Sequence, residues 1–291
     1  MTTGGRPGDR IAAAQPGAQA ARFVVRRIVF YAFIALVTVF FALPLLWLVV
    51  APFNRHPTLQ VSLPQFTLTN FRALVANPYA LTSLRNSVLI STVAMVLVVV
   101  LAALASYALS RVHIPGRDAL LYGLLLLSSI VTGTAAMVPI FLLMFDLHMI
   151  DSQLGVSLVL AGGLLPAAIF ILKDFMDSTP RSYEESARVF GATPLQVLRH
   201  VVVPIARPGL ATIAVWALVN AWGNFLVPFL LLRSPDKSPA AVVMYTFYTE
   251  GGQANLPVIS AFSLVYSIPV VAMYLFVNRR YGFRFYGGVK S

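Results

Sequence analysis

The sequence predicts an all-α integral membrane protein with six transmembrane helices, cytoplasmic N- and C-termini, and a cytoplasmic two-helix loop between the fourth and fifth spans. Of its 291 residues, 58% are apolar and only 11% are charged, whereas soluble domains contain roughly 25% charged residues. Its uncharged runs are long enough to cross a bilayer core of about 30 Å, which requires roughly 20 helical residues. Its basic residues are divided unequally between the two sides of these runs.

The predicted spans are the six long uncharged runs, which cover residues 28–54, 86–110, 119–145, 152–172, 208–232 and 251–278. Residues 1–27 precede them as a tail that is disordered over 1–21 and ends in a basic flank, because Gly, Ala, Pro and Gln dominate it without periodicity. The first run exceeds the core of a cleaved signal peptide, which is about 7–15 residues long. Residues 28–291 are therefore predicted to form one transmembrane domain.

The segments between the runs predict turns and short loops. The first outer segment, residues 55–85, is rich in proline and polar residues, and Pro115 with Gly116 marks a short cytoplasmic turn. The sequence shows no pair of interrupted spans at matching positions in two halves, and such a pair would indicate an inverted-repeat carrier. We therefore expect each run to form one span.

The distribution of Lys and Arg predicts the orientation, because basic residues near span ends stay on the cytoplasmic side. With an inside N-terminus, 16 of the 21 basic residues fall on inside segments, and the outer segments contain Arg55, Arg72, Arg85, Arg233 and Lys237. Both termini and the loop after span four are thus predicted to face the cytoplasm. This topology explains the pI of about 10.3, and we expect no nucleic-acid binding because no base-reading fold fits the loops.

Ionisable side chains are absent from the predicted spans. All ten acidic residues and all four histidines fall in tails, loops or span ends, and the chain contains no cysteine. Ion-driven carriers keep such groups inside the membrane, and intramembrane catalysis requires acids, bases or metal ligands there. A phosphate-binding G-x-x-x-x-G-K-[ST] loop is also missing. We expect no catalytic residue, no metal and no cofactor on this chain, so energy must come from a partner.

The loop of residues 179–208 carries the start and stop signals of two short helices. The first opens at Thr179 with Pro180, or at a capping box of Ser182 and Glu185. It ends at Gly191, because glycine accepts the backbone conformation that closes a helix. Such a charged helical pair between two membrane spans predicts a docking element rather than a lipid-facing one.

The second helix of the loop begins at Thr193, with Pro194 at its first position and Gln196 completing a capping box. Pro204 closes the segment. Glu184 and Glu185 lie near the start of the first helix, where they suit the helix dipole and are free to pair with a partner's Arg; a solvated helix start is the alternative. Two apolar residues, Phe190 and Leu195, fit either a partner groove or the protein's own spans.

This loop resembles the EAA loop of ABC-importer membrane subunits in the spacing of Glu185, Ser186, Ala187, Gly191, Val201, Val203 and Pro204. Ser186 stands where Ala is usual, and Phe190 where Asp is usual. Residues 64–74, residues 107–116 and the terminal GGVKS extend the resemblance over residues 27–291, to the carbohydrate branch and the shorter permease of maltose-type systems. At the position of Trp222 the family usually has Trp-Asn-Glu or Trp-Asn-Asp. In this chain Gly223 and Asn224 follow Trp222, so the acidic residue is missing.

The resemblance implies a non-catalytic permease of a bacterial or archaeal plasma membrane. Its implied partners are the lipid bilayer, a second homologous permease, two cytoplasmic ATPase subunits that bind ATP and Mg, and an extracytoplasmic sugar-binding protein. The implied ATPase-coupling residues are Glu184, Glu185, Ser186, Ala187, Phe190, Gly191, Leu195 and Pro204. The C-terminal residues Gly287, Gly288 and Lys290 either contact the ATPase or form a free end.

A pathway for a neutral sugar should offer amides, hydroxyls and an aromatic face without full charges. The candidates in spans three and five are Ser128, Ser129, Thr132, Thr134, Asn220, Trp222 and Asn224, and packing between helices is the alternative role for each. Trp216 is expected to be a lipid or packing residue. Three other functions stay open: an ABC importer for another solute, an ion-driven carrier or channel, and a membrane scaffold.

Overall fold

The computed structural model describes residues 16–57, 65–112, 115–131, 134–247 and 254–281. Within these ranges the regular structure is helical, apart from isolated β-bridges such as that between Asn54 and Phe66. This confirms the predicted all-α class. The helices in chain order are α1 Pro16–Val50, α2 Thr69–Ala76, α3 Ala80–Arg111, α4 Arg117–Val131, α5 Met137–Asp146, α6 Gln153–Asp177, α7 Arg181–Val189, α8 Pro194–Ile205, α9 Arg207–Trp222, α10 Leu226–Leu231, α11 Ala240–Thr246 and α12 Leu256–Tyr281.

Helix α1 begins at Pro16, so residues 16–27 of the predicted tail are helical and continuous with the first span, while residues 1–15 lie outside the described residues. Pro16 suits the first turn of a helix, and Ala, Gln and Arg after it are good helix formers. From Phe23 onward the large apolar side chains of α1 are exposed within this chain. In a membrane such a helix is covered by lipid or by another subunit.

Helix α3 is the centre of the bundle and packs along α6 and α9. It begins at Ala80, before the predicted opening at Asn86. One stripe of α3 is buried and consists mainly of small residues: Ser83, Ser87, Ser91, Ala94, Val98, Ala102, Ser106 and Ser110. Small side chains allow neighbouring backbones to approach closely, and serine hydroxyls bond to their own helix, as Ser91 Oγ does to the Ser87 carbonyl at 2.6 Å.

Two of the six predicted spans are interrupted. The run 119–145 forms α4 and α5, and the run 208–232 forms α9 and α10, separated at residues 223–225. Runs three and five therefore each contain two helices, a detail that the expectation of one span per run did not include. Composition reveals the uncharged length but not the break, which in span five depends on a local bond: Asn224 Oδ1 accepts the Val227 backbone N–H at 3.1 Å and starts α10.

Within the described ranges, four helices are long and apolar enough to cross a membrane: Phe23–Phe53, Ala80–Arg111, Gln153–Asp177 and Leu256–Phe276. A fifth candidate is α8 together with α9, two helices that meet at an angle of 80°. Because backbone polar groups are tolerated at membrane depth only where protein or a cavity satisfies them, interrupted helices mark the interior of such a bundle.

A polar staple centred on Asp151 fixes the segment after α10 to the start of α6. Asp151 Oδ1 accepts the backbone N–H groups of Arg233 and Ser234, both at 3.0 Å. Its Oδ2 accepts the Ser234 hydroxyl at 2.6 Å and the Lys237 ammonium at 2.7 Å. Asn86 Nδ2 donates to the Asp236 carbonyl at 2.7 Å, so α3 is tied to the same segment.

We expect Asp151→Asn to destabilise the protein at neutral pH and to leave its stability in acid nearly unchanged. The Lys237 ammonium, followed by the Ser234 hydroxyl and backbone N–H, holds the pKa of Asp151 well below its usual value. The stabilisation is therefore complete above the unfolded pKa of about 3.9 and is lost as the pH falls through the lower folded pKa. Asn tolerates the left-handed conformation of residue 151, at φ 58°, so the backbone is preserved.

The measurement is the midpoint of thermal unfolding of the purified protein at neutral and acidic pH. Asp146→Asn is the matched control, since Asp146 is an exposed acid in the same turn. Equal midpoints for Asp151→Asn and the unsubstituted protein at neutral pH would show that the staple contributes nothing.

Candidate functional site

Helices α7 and α8 form a hairpin between the end of α6 and the start of α9. A glycine closes α7: Gly191 has φ 81°, its N–H donates to the Arg188 carbonyl at 2.9 Å, and the Ala192 N–H donates to the Ala187 carbonyl at 3.1 Å. This pair of bonds is a Schellman motif, which satisfies the last carbonyls of a helix and requires a left-handed residue. The predicted stop at Gly191 is confirmed.

The starts of the two hairpin helices differ. At α8 the predicted capping box is present: the Gln196 N–H donates to Thr193 Oγ1 at 3.4 Å, and the Thr193 N–H donates to Gln196 Oε1 at 2.8 Å. Helix α7 begins at Arg181, directly after Pro180, without a side-chain cap. The predicted cap at Thr179 and the alternative box starting at Ser182 were wrong, because the Thr179 hydroxyl donates back to the Phe175 carbonyl at 3.1 Å.

A bend and a wide turn connect the hairpin to α9. Residues Leu198–Val202 of α8 form one π-helical turn, and Pro204 follows it after Val203. Proline lacks an N–H and cannot continue regular helical bonding, so a π-turn before it accommodates the lost bond. At Ala206 the chain turns by 80° into α9. The wide turn, the proline and the bend all lie at the joint between hairpin and bundle.

Close packing at this joint depends on Gly209. A Cβ atom at residue 209 would lie 2.6 Å from Cγ of Phe175 on α6. No side chain fits there, so the glycine allows α9 to lie against α6. Sequence reasoning missed Gly209, because the residue that it faces lies on another helix.

The hairpin has a buried base and an apolar exposed tip. Val197, Leu198 and Val202 of α8 are buried in the same cluster as α3 and α6 residues. At the tip, Phe190 is 90% exposed and Leu195 is 69% exposed. Together with Tyr183 and Val189, these two residues form an apolar surface that we call the tip patch. Of the two interpretations left open above, packing onto the chain's own spans is excluded for Phe190 and Leu195, since both are exposed.

The two acidic residues of α7 have different environments. Glu185 is exposed, as are Ser186 and Gly191, whereas Glu184 is 3% exposed. The expectation that Glu184 is free for a partner's Arg was wrong, because its carboxylate accepts Arg111 Nε at 2.7 Å and the Tyr107 hydroxyl at 3.1 Å. A buried carboxylate needs such partners, since an unpaired charge away from water is very unfavourable.

A cavity of about 280 Å³ lies between the interrupted helices. It is lined by residues of α4, α5, α6, α9 and α10: Ser128, Ile140, Val159, Leu160, Gly163, Leu164, Ala167, Trp216, Asn220, Asn224 and Val227. The predicted pathway residues Ser128, Asn220 and Asn224 thus share one space. None of these lining residues is charged, and the mixture of amides, a hydroxyl and an indole is the chemistry expected for a neutral polar solute.

The positions of Trp222 and Trp216 in α9 are the reverse of those expected. Trp222 does not line the cavity; its indole stacks on Tyr266 of α12 with ring centroids 5.2 Å apart. Trp216, which was expected to face lipid or to pack between helices, lines the cavity. Residues six positions apart lie on different faces of a helix. Only the packed bundle shows which face of α9 borders the cavity.

Several predicted site residues cannot be placed. Thr132, Gly287, Gly288 and Lys290 lie outside the described residues, and the side chain of Ser129 does as well. Thr134 lies in the turn before α5, and it is exposed and does not line the cavity. Their proposed roles stay predictions.

These features define a class: a multi-pass membrane protein with an interior polar cavity, interrupted helices around it, and a two-helix hairpin with an exposed apolar tip. Residues 117–283 match the family described as "Binding-protein-dependent transport system inner membrane component". The chain belongs to this family and is a multi-pass plasma-membrane protein.

Individual relatives agree with this family. The trehalose transport system permease protein SugB of Mycobacterium tuberculosis is 32% identical over 263 residues, 88% of this chain and 94% of that protein. The maltodextrin transport system permease protein MdxG of Bacillus subtilis is 27% identical over 261 residues, 89% and 94% of the two chains. The chain thus aligns with nearly the whole length of these permeases.

The fold also matches a solved structure. A chain from the crystal structure of a bacterial ABC transporter involved in the import of the acidic polysaccharide alginate aligns with a TM-score of 0.73 and 22% identity. The alignment covers 90% of this chain and 98% of that chain. The all-helical arrangement described above is therefore an ABC permease fold.

Proposed function

We propose that this chain is the membrane-spanning permease subunit of an ATP-driven importer for a sugar or oligosaccharide. It forms half of the translocation pathway and pairs with a second homologous permease. Two cytoplasmic ATPase subunits bind ATP and Mg and dock on its hairpin, and an extracytoplasmic binding protein delivers the solute. The observation that carries the proposal is the tip patch. The hairpin that presents it is folded and buried at its base, yet the Phe190 side chain is 90% exposed.

The tip patch supports docking of a protein rather than contact with lipid. Exposed apolar side chains surrounded by polar ones mark protein interfaces. Here Glu185 and Arg188 are exposed on α7, the helix that carries Tyr183 and Val189, so polar side chains accompany the patch. A carboxylate such as that of Glu185 can accept a bidentate hydrogen bond from an Arg of the docked subunit. The role proposed for Gly191 and Pro204 is to set the turn and the joint of the hairpin.

The proposed orientation places both termini and the hairpin in the cytoplasm, with six crossings. In this arrangement spans three and five are the interrupted pairs α4 with α5 and α9 with α10, and the unequal distribution of basic residues supports it. The staple around Asp151 then lies on the outer side. The C-terminal residues Gly287, Gly288 and Lys290 would lie beside the ATPase subunits.

The proposed solute is a neutral carbohydrate, and the cavity is its passage through this subunit. The lining offers the amides of Asn220 and Asn224 for hydrogen bonds and the indole of Trp216 as an apolar face. Two relatives are named as permeases for maltodextrin and trehalose. Ser129 and Thr132 of predicted span three are proposed to line the same passage.

Uptake into proteoliposomes tests the function. The chain is purified with its second permease and the ATPase subunits, and radiolabelled trehalose and maltodextrins are supplied with the binding protein. We expect uptake that requires ATP, and no flux through vesicles that contain this chain alone. Flux through the chain alone would identify a channel or ion-driven carrier, and ATP-dependent uptake restricted to amino acids, peptides or phosphate would overturn the carbohydrate assignment.

A further inference from the structure

A buried ion pair joins the hairpin to the central helix of the bundle. Arg111, the last residue of α3, donates from Nε to Glu184 Oε1 at 2.7 Å, and its Nη2 lies 2.5 Å from the same oxygen. The Arg111 side chain is 11% exposed and the Glu184 side chain 4%. The hydroxyl of Tyr107 donates to the other carboxylate oxygen at 3.1 Å.

The same arginine also reaches the end of α6. Its Nη1 donates to Ser110 Oγ at 2.8 Å, and the Ser110 hydroxyl in turn donates to Asp177 Oδ1. Lys173 Nζ donates to Asp177 Oδ2 at 2.7 Å. Three helices, α3, α6 and α7, therefore meet in one continuous network of charged hydrogen bonds at a single end of the bundle.

This network adds a charged link between α7 and the bundle to the apolar contacts that the base of α8 makes in the core. Helix α7 packs on α8. Its hydrogen bonds to α3 come from the side chains named above and from Arg181, whose Nη2 donates to the Ser110 carbonyl at 3.3 Å. Helix α3 packs along its length on α6 and α9, which line the cavity. A displacement of α7 by a docked subunit would thus be passed through Arg111 to α3, because a buried charge cannot leave its partner without a large loss of free energy.

We propose that the Arg111–Glu184 pair transmits movement of the hairpin to α3. Both residues are then positioning residues for transport. This inference rests on the proposed function. It assigns to Glu184 a role inside the permease, distinct from the docking role proposed for its exposed neighbour Glu185.

The test compares Arg111→Gln with the unsubstituted complex in proteoliposomes and measures solute imported per ATP hydrolysed. We expect the ATPase subunits to stay bound and to hydrolyse ATP, while uptake per ATP falls by roughly tenfold, the size of a typical coupling between two sites. Arg111→Lys keeps the charge but loses the planar fork, so an intermediate ratio is expected. Arg85→Gln is the control, because Arg85 is an exposed arginine near the opposite end of the same helix α3. Its uptake per ATP should not change.

Two results would contradict the proposed role of the Arg111–Glu184 pair. Loss of the ATPase subunits from the Arg111→Gln complex would show that the pair only maintains the shape of the hairpin, and an unchanged ratio would show that movement takes another route. If Arg111→Gln fails to accumulate in the membrane, Arg111→Lys is the deciding variant. A reduced uptake per ATP in that variant supports the proposed role of the pair, and an unchanged uptake per ATP contradicts it. Failure of the unsubstituted complex to import solute with ATP would instead refute the proposed function.

Discussion

Gly191→Pro is expected to abolish ATP-driven uptake. Residue 191 has φ 81°, whereas proline fixes φ near about −65°, and the N–H that proline lacks donates here to the Arg188 carbonyl. The helix stop that separates α7 from α8 would be lost, and with it the arrangement of the tip patch. The measurement is ATP-dependent uptake together with the amount of ATPase subunit that copurifies with the permease.

A graded series makes this prediction specific to backbone conformation. A Cβ atom at residue 191 would meet nothing within 4 Å, so a substitution acts through φ and not through a clash. Gly191→Asn should retain most uptake, since Asn tolerates the left-handed region, and Gly191→Ala should cost about 1–2 kcal/mol of hairpin stability. Normal uptake by the proline variant would refute the role of the hairpin.

Gly116→Ala is the control that shows whether backbone strain weakens ATPase attachment at any turn or only within the hairpin. Gly116 has φ 73° and also has open space around its Cβ position, but it lies in the turn before α4. The two alanine variants therefore introduce similar strain at two places. We expect only Gly191→Ala to weaken attachment of the ATPase subunits.

Replacing Trp216 and Asn220 together with leucine is expected to raise the solute concentration that gives half-maximal uptake by about tenfold or more. One lost hydrogen bond costs about 1 kcal/mol and one lost aromatic contact about 0.5–1.5 kcal/mol. Both residues line the cavity, and neither is part of the hairpin. Uptake per ATP hydrolysed at saturating solute should stay unchanged, which distinguishes this variant from those at the hairpin.

Trp222→Phe is the matched control for the cavity variant. It preserves the stack on Tyr266 and removes an indole N–H that has no hydrogen-bond partner in the described structure. The solute concentration that gives half-maximal uptake should therefore not change. If the Trp216 and Asn220 double variant also leaves that concentration unchanged, the cavity is not the passage of the solute.

Local sequence predicted the hairpin well because its signals are local. The Thr193 capping box and the Gly191 stop each depend on residues within a few positions of one another, and the structure contains both. The EAA-type spacing predicted the family for the same reason: it records a pattern along the chain that needs no knowledge of packing. The start of α7 was wrong in detail, since the Thr179 hydroxyl bonds to the preceding helix instead.

The environment of each site residue could not be predicted in this way. Glu184 and Glu185 are neighbours in a sequence of similar character, yet one is buried against Arg111 and the other is exposed. Trp216 and Trp222 lie in the same helix, but only Trp216 reaches the cavity. Each difference depends on which side of a helix meets another helix, and residues far away in the sequence decide that.

The sequence by itself determined that this chain is helical, that it lies in a membrane and that it presents a capped hairpin between two spans, because hydropathy and capping act over a turn or one span. Only the tertiary structure decided that a polar cavity lies between the interrupted spans three and five, and that Arg111 ties the hairpin to α3. These features arise from contacts between segments distant in the chain. A single sequence specifies such contacts only through the complete fold.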